Sequence, residues 1–269
     1  MCGHHHRFRK MKRPFVFFTF VSDNYYSPVG TPELVNSFKK FHNDIPLVVF
    51  RQDIVDEIID PAKKFMGGAV NWLNAKPMFA KLLIDRFDCI VNIDADTVIL
   101  GRLDEVLSQN YDIGAVTNFN DYENRHVENI TDEMYLQAGM VASRRPEFWD
   151  IWMKASLADN WKYKCAENDT LNTVVYNQLV PQGWKLKIFD KDKDYYGCKL
   201  LGREKECVID QGGVMCRGEK VKAYHAAKGP QNLPKLSADK LTSYGFNNQV
   251  KDFIMAAGGY GTSVIYDTL

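Results

Sequence analysis

An apolar run, Cys89-Ile90-Val91-Asn92-Ile93, breaks off into Asp94-Ala95-Asp96, and no other junction in the chain limits its fold so tightly. A short run this rich in β-branched residues reads as a strand buried on both faces, inside a sheet covered by helices. Open α/β sheets bind ligands at the carboxyl ends of their strands, which is where this run delivers its carboxylates. Side chains alternate in extended backbone, so Asp94 and Asp96 can share one direction with Ala95 between them. Two hard oxygen ligands with open positions suit Mg²⁺ or Mn²⁺ carrying a substrate phosphate. The leading expectation is a divalent-cation site for a nucleotide diphosphate. Asp-x-Asp is also common where strands become loops, so a plain strand-end turn stays open beside it.

The flanking segments alternate between strand and helix signals. Residues 14–21 read as a first strand. Thr31-Pro32-Glu33 then opens a helix, with Thr31 as N-cap, Pro32 at the first helical position, and Leu34, Val35, Phe38 and Phe41 at helical spacing. Residues 46–50 read as a second strand and residues 53–59 as a short helix. A longer helix is expected to begin near Asn74 and bury Met78, Phe79, Leu82, Leu83 and Phe87. After the Asp94 strand, residues 111–117 and 135–143 read as strands. Residues 146–157 read as a helix with Phe148, Trp149, Trp152 and Met153 inside. This order predicts an α/β fold with a mixed, mostly parallel central sheet flanked by helices. Beyond Val180 the pattern is turn-rich and irregular. No repeat or linker divides the chain, so residues 13–269 are expected to form one domain.

Composition excludes some functions. Lys plus Arg equals Asp plus Glu, 34 of each, so no global charge favours nucleic acid. No apolar run approaches a membrane span; Phe15 to Val21 is strand-sized. The basic opening at residues 7–13 imitates a signal peptide, but no small-residue cleavage site follows. His4-His5-His6 fits a flexible or expression-derived end better than a metal site, so residues 1–12 are left out of the fold. Cysteine is too sparse for a disulfide scaffold. Cys198, Cys207, Cys216 and His225 recur at equal spacing, but lack the close pair usual in zinc sites. A hairpin turning at Gln211-Gly212, with Cys207 opposite Cys216, is the simpler expectation. Whether those thiols are bonded depends on the compartment.

Four motifs in order give the chain a family resemblance from Phe15 to about Pro230. They are Phe18-Thr19-Phe20-Val21-Ser22-Asp23-Asn24-Tyr25-Tyr26, then Asp94-Ala95-Asp96-Thr97, then Leu136-Gln137-Ala138-Gly139-Met140, then Glu167-Asn168-Asp169-Thr170-Leu171-Asn172. Together they resemble glycosyltransferase family 8, the glycogenin-like and bacterial lipopolysaccharide galactosyltransferase group. The resemblance implies a GT-A fold. It also implies sugar transfer from a nucleotide donor, usually a UDP-sugar, to a carbohydrate or glycosylated acceptor with retention of configuration.

By the same resemblance Asp94 and Asp96 hold Mn²⁺, with Mg²⁺ an alternative, and His225 is the third protein ligand. A neutral imidazole completing an oxygen-rich shell is compatible with Mn²⁺. Tyr26 stacks on uracil, with Tyr25 its substitute if the register slips, and Thr19 and Asp23 bond the base or anchor the loop. Lys76 is the family's lysine before the metal strand, and Lys81 is its rival. Ala95 lines the donor within the metal motif. Lys228 and Gly229 approach the diphosphate, although both depart from the family spacing after His225. Gln137 lies against the donor sugar, while Glu167 and Asn168 stand where the family carries Asp and Gln. Glu167 is the one nucleophile the sequence suggests. Same-face attack is nevertheless favoured, with Glu167 binding sugar hydroxyls and a donor phosphate oxygen accepting the acceptor's proton.

Two other classes remain. A sugar nucleotidyltransferase would want a glycine-rich basic loop after the first strand, where this chain is aromatic and acidic. A degenerate, non-catalytic carbohydrate- or nucleotide-sugar-binding protein would explain the departures at Glu167, Asn168 and Lys228-Gly229. Asn129-Ile130-Thr131 and Asn168-Asp169-Thr170 are formal glycosylation sequons. Modification at the second would obstruct the expected pocket, which favours a cytoplasmic setting over a soluble lumenal one. A homo-oligomer is compatible with the sequence.

Overall fold

Alternation along the first strand decides how the layers form. In the computed structural model, β1 (Arg13–Phe20) buries Val16, Phe18 and Phe20 with Phe79, Trp149 and Trp152, while Phe17 packs with Leu34 and Phe38 in a separate cluster. With both faces covered, the strand needs no polar alternation, hence its continuous apolar run. The structure describes residues 12–20, 31–50, 75–108, 110–117, 130–159, 166–190, 196, 200, 202–225 and 237–259. The helix expected at residues 53–59 lies outside them.

The central sheet also contains β2 (Leu47–Phe50), β3 (Phe87–Ile93), β5 (Ile113–Thr117), β6 (Leu136–Ser143) and β7 (Leu186–Ile188), in the order β2-β1-β3-β6-β5-β7. β1 runs parallel to β2 and β3, and β7 parallel to β5, whereas β6 is antiparallel to both its neighbours. The expected mixed, mostly parallel sheet is thus present. Among the described residues β6 is the reversed strand, and this matters for the site: β6 enters the sheet at the end where β3 leaves it.

Helix α1 (Thr31–Phe41) covers one face with Leu34 and Phe38. The other face carries α2 (Lys76–Lys81), α4 (Pro146–Asp159) and α5 (Ala166–Val174), centred on Phe148, Trp149 and Trp152. The short α3 (Asp104–Leu107) follows β4 (Thr97–Ile99). The helix expected from Asn74 is shorter than its apolar pattern suggests. Leu82 and Leu83 donate to carbonyls three residues back, Phe79 and Ala80, which tightens the helix end into turns. Leu82 is consequently half exposed, Leu83 stays buried, and Phe87 opens β3 instead of closing a helix.

The C-terminal part is more regular than its sequence pattern indicates. β8 (Cys207–Asp210) and β9 (Gly213–Cys216) form the expected hairpin, with Cys207 opposite Cys216. Gln211 and Gly212 both take positive φ, 48° and 73°, as the tight hairpin turn requires. Both thiols are buried and free. β10 (Glu219–Lys220) extends this sheet, and β11 (Ala223–His225) leaves it to pair antiparallel with β4. Helices α6 (Ala238–Tyr244) and α7 (Asn248–Gly258) follow, capped by the side chains of Ser237 and Asn247, and α7 packs on α1 and β4.

Candidate metal and donor site

The pairing of β4 with β11 brings the third candidate ligand to the first two. Asp94 leaves β3 with its N–H bonded to Gly139 O at 2.8 Å, and the chain then turns, Thr97 N–H reaching back to Asp94 O at 3.1 Å. The carboxylates therefore converge through a turn rather than by alternation along a strand. A strand-end turn and a carboxylate pair turn out to be the same object. Immediately beyond it, Thr97 lies opposite His225 in the β4–β11 register. His225 Nε2 is 2.9 Å from Asp96 Oδ1 and 3.6 Å from Asp94 Oδ2. One ligand atom from each of the three lies within 4.8 Å of the other two, and all three residues are buried.

Lys76, fully buried at the start of α2, stands behind this cluster. Its ammonium is 2.8 Å from Asp94 Oδ1, 2.8 Å from Glu167 Oε2 and 3.0 Å from Ala138 O. Burial pulls the lysine toward its neutral form, but Asp94 and Glu167 outweigh it and hold the ammonium charged well beyond its ordinary range. Burial pushes the Glu167 carboxyl up to about 7, with Lys76 opposing the rise and Asp94 adding to it. Lys81, the rival lysine, is half exposed and pairs with Asp150 at 2.7 Å, away from the cluster.

β6 reaches the site because side chains replace part of its ladder. Its register with β5 jumps from Val116↔Gln137 to Ala115↔Val141, so residues 138–140 have no ordinary β5 partners. Asn168 and Asn172, one turn apart on α5, take over. Asn172 accepts from Leu136 N–H and donates to Leu136 O, both at 2.8 Å, and Asn168 accepts from Ala138 N–H at 2.9 Å. Asn92 on β3 donates to Ala138 O at 3.0 Å. Gln137 folds over Gly139, accepting its N–H at 2.8 Å, and its amide nitrogen lies 3.4 Å from His225 Nδ1. A Cβ on residue 139 would come within 2.4 Å of the Gln137 oxygen, so this fold-back requires glycine.

The structure thus brings together Asp94, Asp96, His225, Lys76, Glu167 and Gln137. Ala95 is buried within the turn, and Thr19 is buried near the carboxyl end of β1, with Val49 as its β2 partner. The oxygen of Asn168 is occupied by β6 backbone. Asp23, Tyr25, Tyr26, Lys228 and Gly229 lie outside the described residues. Sequence reasoning missed the part played by Asn92. The signal was there: an amide inside a buried apolar strand must find a partner.

No protein-family model and no curated protein matches the chain. Its structure is similar to solved glycosyltransferases. The apo bifunctional glycosyltransferase WbbM aligns with a TM-score of 0.56 and 15% identity, over 93% of this chain and 50% of that one. The galactosyltransferase LgtC, in complex with donor and acceptor sugar analogues, aligns with a TM-score of 0.55 and 16% identity, over 93% of this chain and 97% of that one. A glycosyltransferase involved in glycosylation of the major capsid of PBCV-1 gives 0.53 and 7%, over 86% and 98%. The chain therefore spans half of WbbM and nearly all of LgtC, and it has the GT-A glycosyltransferase fold. Among the described residues no helix is long and apolar enough to cross a membrane.

Proposed function

We propose that this chain is a retaining, metal-assisted glycosyltransferase, moving a sugar from a UDP-sugar to a hydroxyl of a carbohydrate or glycosylated acceptor. The observation that carries this reading is the meeting of Asp94, Asp96 and His225 at the carboxyl end of β3. Their chemistry fits a divalent ion. Two carboxylates and an imidazole suit Mn²⁺, with Mg²⁺ the alternative. Asp94 and Glu167 share the ammonium of Lys76, and Asp96 lies against His225, so among the described residues the cluster holds more carboxylates than the one lysine can balance, a charge that a cation would neutralise. When bound, the ion would act as a Lewis acid toward the departing diphosphate.

The protein's own groups would do the rest by positioning. Gln137 offers an amide that can donate to and accept from sugar hydroxyls. Glu167 is held by Lys76 through Oε2, and a carboxylate so tied is a poor nucleophile. This favours same-face attack, with Glu167 accepting from the sugar and a donor phosphate oxygen taking the acceptor's proton. Uracil stacking by Tyr26 and diphosphate contacts by Lys228 and Gly229 complete the reading.

Calorimetric titration with UDP, GDP and CDP, each with Mn²⁺ and with chelator, tests it. Mn²⁺-dependent binding of UDP alone, followed by hydrolysis of one UDP-sugar, is expected. Absence of nucleotide binding under every condition would overturn the proposal in favour of a degenerate, partner-binding protein.

A further inference from the structure

A lysine that serves phosphate must be able to reach it, and Lys76 is buried between two carboxylates. An ammonium carries three N–H donors and no acceptor. Asp94 Oδ1, Glu167 Oε2 and Ala138 O surround that ammonium at 2.8, 2.8 and 3.0 Å, in a side chain with no solvent exposure. Reaching a diphosphate would break a buried ion pair and leave a carboxylate without its counter-charge, which is strongly unfavourable. The partners belong to different parts of the site. Asp94 follows β3 on the metal side, Glu167 opens α5, and Ala138 lies on β6 beside Gln137. With Oδ1 of Asp94 held by Lys76, Oδ2 is the oxygen directed toward His225.

We infer that Lys76 is a positioning residue: one buried ammonium fixes the metal-facing rotamer of Asp94 and the place of Glu167, and it does not bind the diphosphate. This rests on the proposed donor site. Lys76→Arg would not be a conservative exchange, because a planar five-donor guanidinium differs in shape from a compact ammonium.

The test is built so that charge does not confound geometry. Lys76→Met alone strips a positive charge from a cation site, which by itself favours metal, and leaves two carboxylates without a counter-ion. The double variant Lys76→Met/Glu167→Gln removes one charge of each sign and keeps the local net charge. It is expected to melt higher than Lys76→Met, a non-additivity that marks the two residues as one unit. Its Mn²⁺ affinity, measured without nucleotide by titration with paramagnetic detection, is expected to fall roughly 10–100-fold, as when orienting partners of metal ligands are lost. Circular dichroism matching the parent would show that the fold is kept. Mn²⁺ affinity within about threefold of the parent, with only UDP affinity reduced, would overturn the inference and return Lys76 to phosphate binding. Additive melting shifts would also overturn it, whether or not metal binds. Failure of the parent itself to bind Mn²⁺, with or without UDP, would instead overturn the proposed function on which the metal-side role rests.

Discussion

Exchanging Asp96 for Asn probes the site where it is narrowest. Asp96 Oδ1 lies 2.9 Å from His225 Nε2, and Asp94 Oδ2 lies 3.6 Å from the same nitrogen. Asn keeps the shape and one carbonyl oxygen but removes the charge. Without metal, two consequences oppose each other: relief of repulsion among buried carboxylates and loss of a charge-assisted contact to His225. The metal-free variant should stay within about 1 kcal/mol of the parent. Metal separates the two proteins. A ligand present at about 100 times its Kd stabilises a folded chain by about 2.7 kcal/mol, which at this size corresponds to a rise in Tm of roughly 5–10 °C. Scanning calorimetry with Mn²⁺ and UDP, against chelator, should show that rise in the parent and almost none in Asp96→Asn. Turnover should be lost with it. An equal Mn²⁺-dependent rise in the variant would refute the assignment of Asp96 as a ligand.

Other perturbations address the supports of the site. Asn172→Ala leaves the N–H and C=O of Leu136 without their side-chain partners and should cost about 2–5 kcal/mol in urea unfolding; a loss below about 1 kcal/mol would show that β5 can complete the ladder unaided. Glu167→Gln should lower the transfer rate at least about tenfold while UDP affinity changes by less than about threefold, and parent-rate transfer would remove Glu167 from the mechanism. His42 is buried, accepts from Leu103 N–H at 3.1 Å, and is lowered by burial to about 4. The unfolded chain therefore takes this proton first, so His42 contributes full stability above about pH 6.5 and loses it as pH falls toward about 4. Urea midpoints at pH 7 and pH 5 should differ more for the parent than for His42→Gln, and equal differences would contradict this account.

Most of the sheet is legible in the sequence because β1, β3, β5 and β6 are largely buried on both faces, whereas the edge strand β7, with Lys187 exposed, falls in the stretch that reads as irregular. Runs such as residues 14–21 and 89–93 carry a length and β-branched content that few other structures accommodate. The order of elements then fixes a parallel core. Local rules fail where tertiary placement overrides them. Leu82 fits an apolar helical stripe, yet the helix tightens one residue earlier and turns it outward. α6 and α7 are announced by Ser237 and Asn247 as caps and by Gly245 and Gly259 at positive φ. Their apolar faces are too short to stand out among turn residues.

The site divides along the same line. Asp94 and Asp96 are visible because a strand end presents them within three residues, whereas His225 enters as a ligand through the family resemblance. The roles of Lys76, Asn92 and Asn168 are not visible locally, since each depends on contact with β6 made far away in the chain. Still, a physical rule narrows the search for such residues. An amide inside a buried apolar strand, and two amides one turn apart on a helix, cannot be left unpaired. Here Asn168 accepts from the N–H of Ala138, while Asn92 and Lys76 both donate to its C=O. The strand carrying Gln137 is thus held by the same polar network that holds Asp94 and Glu167. A change in any one of these residues should be felt at the metal side and the sugar side together.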